Sequence, residues 1–80
     1  MDEIMRIIGE ILTEDYGISP EQVEPTAKLV EDLDLDSIEL VEFALELEAH
    51  FNIEVPDDAL AALMTLQQVA EKVAELQEAR

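Results

Sequence analysis

Near the start of the chain, apolar residues recur at Ile4, Ile7, Ile8, Ile11 and Leu12, the i, i+3, i+4, i+7 spacing of one helix face. This predicts a first helix over Ile4–Tyr16, with Gly17 placed to end it. The following stretch, ISPEQVEPTAKLVEDLDL, holds two prolines and no sustained period, so it reads as a long ordered loop. Within it SPEQ supplies a Ser cap, a Pro in the first turn and a Gln after it. Val23, Leu29, Val30 and Leu33 are the residues expected to pin the loop to a core. Loops of this length are uncommon in compact domains and are usually functional.

At Asp36 the spacing Asp-x-x-Glu, completed by Glu39, predicts a capping box and a second helix whose first residue is Ser37. That helix runs to about Phe51, where NIEVPDD breaks it. DDALAALM, residues 57–64, reads as a short third helix. Thr65 with Gln68 caps a last one, whose stripe is Leu66, Val69, Ala70, Val73 and Leu76. The apolar run NIEV is too short to argue for a strand. The predicted fold class is all-α: a small four-helix bundle of three longer helices and one short one, forming a single domain over residues 1–80.

The second helix is apolar on two sides. At 100° per residue, Leu40, Phe43, Ala44, Leu47 and Phe51 fall together, while Ile38, Val41 and Leu45 lie opposite, bordered by Glu42 and Glu48. One face of a helix in a thin bundle meets the core. The other is then either buried under the long loop or a docking strip with an apolar centre and an acidic rim.

Charge sharpens this picture. The formal net charge is -17, and between Lys28 and Lys72 there are twelve Asp or Glu and no Lys or Arg. Such a surface repels nucleic acid and anionic lipid and steers in proteins that carry basic patches. Hydrophobic residues still make up 49% of the chain, so its acidity does not imply disorder. There is no cysteine, which excludes disulfides and thiolate metal sites. Met1 is followed by Asp2 and Glu3, with no basic leader and no apolar run of membrane-spanning length. The expectation is a cytoplasmic monomer without a membrane span.

Candidate chemistry centres on Ser37, for which four roles compete. A nucleophile needs a base, but His50 lies thirteen residues along the same helix, about 20 Å at 1.5 Å per residue. His50 instead suits the helix C-terminal dipole. Calcium is suggested by Asp32, Asp34 and Asp36 at the first, third and fifth positions of an EF-hand loop, yet Ser37 and Phe43 stand where Gly and a bidentate Glu are required. No metal site is expected. An ordinary solvated serine is the commonest occupant of a first helical turn. Covalent attachment is the fourth role: a helix N-terminus has free N–H groups and partial positive charge, which welcome a phosphate ester on a first-turn hydroxyl.

The segment EDLDLDSIELVEFALELEAHFNIEVPDD, with VEDL before the motif and TLQQVAEKV in the last helix, resembles the acyl carrier proteins over nearly the whole chain. The resemblance implies a carrier with no catalytic activity. In that family the serine matching Ser37 receives 4'-phosphopantetheine from coenzyme A through a phosphopantetheinyl transferase, and an acyl thioester is then held on its thiol. It further implies that Asp36 caps the helix beside the arm. Ile38, Val41, Glu42, Leu45 and Glu48 would then meet acyl-processing enzymes with basic patches. Leu40, Phe43, Ala44 and Leu47 would line an acyl pocket in a core whose few aromatics let it part. Two departures stand out: Ile38 replaces the usual Leu, and Asp34 lies where a Gly is common. Fatty acid biosynthesis is the expected setting; polyketide or D-alanyl carriage and an unmodified acidic adaptor are the alternatives.

Overall fold

The computed structural model describes residues 2–56, 60 and 64–78. Among the described residues three α-helices follow one another: α1 (Asp2–Asp15), α2 (Ser37–Phe51) and α3 (Leu66–Glu78), with one 3-10 turn at Pro20–Gln22. The described residues form an all-helical small bundle. The short helix expected over residues 57–64 lies outside the described residues except at Leu60, which is buried, and Met64, which is half-buried.

Helix α1 ends where the glycine predicted it. Gly17 sits at φ +67, in the left-handed region, which glycine enters without the steric penalty of a Cβ. The Ile18 N–H then reaches back to the Leu12 carbonyl at 3.1 Å. The 3-10 turn carries the predicted cap: Ser19 accepts from the Glu21 N–H, Gln22 accepts from the Ser19 N–H, and Pro20 opens the turn.

The long loop is ordered by its own backbone. Leu35 N–H bonds to the Leu29 carbonyl at 3.1 Å and Asp34 N–H to the Val30 carbonyl at 3.0 Å. Asp32 folds back so that Oδ2 accepts the Lys28 N–H at 2.8 Å. The loop is also stitched to the head of α3. Leu66 and Gln67 donate to the carbonyls of Ala27 and Pro25, both at 2.9 Å, and Leu29 donates to Met64 at 3.0 Å. Lys28 and Thr65 form an isolated antiparallel bridge. Two first-turn amides of α3, which no helix can satisfy internally, are therefore satisfied by the loop. The Thr65 hydroxyl and Gln68 side chain complete the predicted capping box.

Helix α3 packs against both α1 and α2. Among the described residues Ile8 and Leu12 of α1, Leu29 of the loop, Phe43 and Leu47 of α2, and Leu66, Val69 and Val73 of α3 are the largest fully buried side chains. Of the loop residues expected to pin the core, Leu29 and Leu33 are buried, whereas Val23 and Val30 are half-buried. Tyr16 meets Phe43 edge-on, with ring centroids 6.2 Å apart and planes at 84°, the arrangement favoured by the ring quadrupoles.

Candidate functional site

The site is built at the N-terminus of α2. Asp36 is extended (φ -90, ψ 178), and its Oδ1 accepts the Glu39 N–H at 2.8 Å while Glu39 Oε1 accepts the Asp36 N–H at 3.1 Å. This reciprocal box fixes where the helix begins and makes Ser37 its first residue. Ser37 is exposed. Among the described residues its hydroxyl has no hydrogen-bond partner, and the amides of Ser37 and Ile38 meet no acceptor. The outcome is an exposed hydroxyl beside open N–H groups at the positive end of a 15-residue helix.

Asp34, two residues before the cap, has φ +58. A non-glycine residue there is uncommon, and aspartate is among the few that tolerate it. The left-handed step swings the chain out of the loop and aims it into the helix. Among the described residues the Asp34 carboxylate makes no hydrogen bond that would compensate the strain.

The two faces of α2 are resolved by burial. Phe43, Ala44, Leu47 and Phe51 are buried and Leu40 is half-buried, all on the core side. On the other side Ile38, Val41 and Leu45 are 70%, 51% and 59% exposed. The long loop leaves them uncovered, so the strip runs in the open from Ser37 along the helix. Glu42 beside it is exposed as well. Glu48 differs: it is half-buried, and its Oε2 accepts the Val55 N–H at 2.8 Å. His50 is exposed in the last turn of α2, at the opposite end of the helix from Ser37.

One feature carried no signal in the sequence. Glu46 lies where α2 faces the end of α1, in a cleft with Asp15, Tyr16, Glu42 and Leu45. Its Oε2 is buried without a hydrogen-bond partner. Burial raises its carboxyl above the ordinary value, with the Asp15 carboxyl acting in the same direction. Burial, reinforced by Glu46, also pushes the Tyr16 phenol far upward. Helical periodicity cannot reveal this cluster, because Asp15 and Tyr16 belong to a different element.

The Lys and Arg side chains among the described residues lie elsewhere. Arg6 pairs with Glu10 at 2.7 Å, Lys28 with Glu31 at 3.3 Å and Lys72 with Glu75 at 3.9 Å, each within its own segment. Among the described residues no three His, Cys, Asp or Glu are grouped so as to hold a metal. Asp32 and Asp36 spend their carboxylates on backbone amides instead. No described helix is long and apolar enough to cross a membrane.

Residues 6–73 match the family described as "Phosphopantetheine attachment site". The chain is 38% identical over 77 residues to the meromycolate extension acyl carrier protein of Mycobacterium leprae, covering 96% of this chain and 67% of that one. It is 37% identical over 78 residues to the acyl carrier protein of Rubrobacter xylanophilus, covering 98% and 96%. Against the acyl carrier protein of Rhodococcus erythropolis it is 36% identical over 76 residues, covering 95% and 84%. An exposed hydroxyl on a capped helix, set at the head of an uncovered apolar strip, thus occurs in a chain that belongs to the acyl carrier proteins, carriers of phosphopantetheine without catalytic activity of their own.

Proposed function

We propose that Ser37 is the attachment point of 4'-phosphopantetheine and that the chain carries fatty acyl groups between enzymes of fatty acid biosynthesis. The observation that carries this reading is the exposed, unengaged Ser37 hydroxyl on the capped first turn of α2. The residues fit the group. A phosphodiester at Ser37 lies within the field of the helix N-terminus and beside open amides. The Asp36 carboxylate, held by the Glu39 N–H, favours an arm that points away from the protein. When bound, the arm supplies a terminal thiol that holds acyl cargo as a thioester.

Ile38, Val41 and Leu45 form the apolar centre of the surface that partner enzymes grip, and Glu42 and Glu48 supply the anions that attract their basic groups. Leu40, Phe43, Ala44 and Leu47 form the wall of α2 against which an acyl chain would lie inside the core. Similarity to the mycobacterial meromycolate extension acyl carrier proteins favours acyl extension over D-alanyl transfer.

Incubation with coenzyme A and a phosphopantetheinyl transferase should add one phosphopantetheine to the intact mass, and Ser37→Ala should abolish the gain. An unchanged mass in the wild-type chain, or modification that persists in Ser37→Ala, would overturn the assignment.

A further inference from the structure

Glu48 borders the exposed strip, yet its carboxylate is already engaged. Oε2 accepts the Val55 N–H at 2.8 Å in a part-buried bond. Its backbone carbonyl accepts the Asn52 N–H and, at 3.4 Å, that of Ile53. A single residue thus fastens three amides of the segment 52–55. Asn52 turns that segment back with φ +54, and Ile53 and Val55, each 7% exposed, deliver it into the core. Any residue supplies the two carbonyl bonds. The third requires a side-chain acceptor of this reach, and without it a donor partly withdrawn from water is left unpaired.

We infer that Glu48 is a latch: its carboxylate holds the 52–55 edge shut over the core, and an arginine of a docking protein that claims this carboxylate frees the Val55 N–H and loosens the edge. The coupling rests on the docking surface proposed above. Its chemistry selects arginine. An ammonium group is satisfied by the remaining Oε1, whereas the guanidinium fork takes both oxygens of a carboxylate at once and competes directly for Oε2. A partner's grip on the rim of the strip is thereby transmitted, through one side chain, to the seal of the interior. Glu48 acts here as a positioning residue for the segment it holds.

The test is amide hydrogen exchange by NMR on the full chain. In the free protein Glu48→Ala should speed exchange at Val55 by about tenfold or more, the loss expected for a charge-assisted bond. Glu48→Gln keeps an acceptor and should remain close to wild type. Equal Val55 protection in Glu48→Ala and wild type would refute the latch itself. Tetra-arginine peptide is then added at low salt, with its binding followed by shifts of the Val41 and Glu42 amides. It should accelerate Val55 exchange in wild type and not in Glu48→Gln, while tetra-lysine at equal occupancy should do so less. Peptide binding with Val55 exchange unchanged, or accelerated equally in Glu48→Gln, would refute the coupling. Absence of any peptide shift on α2 would refute the docking surface and the coupling with it, and leave the latch to be decided by the free-protein comparison.

Discussion

Asp34 concentrates local strain at a single residue. Its φ of +58 brings Cβ toward the following carbonyl, at a cost of about 1–2 kcal/mol for most L-residues. Glycine avoids that cost but loses about 0.5–1 kcal/mol more chain entropy on folding. Asp34→Gly should therefore gain between about 0 and 1.5 kcal/mol, read as an equal or higher midpoint in urea at unchanged slope, while Asp34→Ala should lose stability. The capping boxes at Ser19, Asp36 and Thr65 were legible in the sequence because each closes within four residues. The Glu48–Val55 bond was not: its partners are seven residues apart and meet only because Asn52 reverses the chain.

At the scale of the helices, α2 is pulled between a packed face and an exposed one, and its contact with α1 carries an electrostatic cost. The raised Glu46 carboxyl binds its proton more tightly in the folded chain than in the unfolded one. By linkage, this group's contribution to stability falls as pH rises from the ordinary carboxylate value through the raised one, and the penalty is complete above both. Glu46→Gln should therefore melt above wild type at neutral pH, with the difference shrinking as the pH falls through the raised value and levelling off below about 4.5, where the unfolded glutamate is protonated too. Thermal melts of the two proteins across this range would check it, and a difference independent of pH would refute it. Helical periodicity revealed α1, α2 and α3, since each buries a stripe of fixed spacing. Ala27, Leu35, Ile53 and Val55 are equally buried without a periodic neighbourhood; hydrogen bonds within the loop and from the loops to α2 and α3 hold them, and no sequence period encodes those bonds.

For the molecule as a whole, the dominant quantity is unbalanced charge. The greatest extent is 31 Å, close to the Debye length of about 30 Å at 0.01 M salt and well above the value of about 3 Å at 1 M. At low ionic strength each carboxylate feels nearly all the others, and among the described residues the local pairs of Arg6, Lys28 and Lys72 leave the α2 face uncompensated. Added salt should raise the melting temperature, with each kcal/mol of relieved repulsion worth about 4–8 °C at this size; a flat titration would contradict this. The stitching of residues 25–29 to the head of α3 bears on how the chain acquires its shape. Because the Pro25 and Ala27 carbonyls complete the first turn of α3, the C-terminal helix gains its full support only after a segment some forty positions upstream has been laid down. Opening either piece therefore strips hydrogen bonds from the other, so the stabilities of residues 25–29 and of the first turn of α3 are coupled.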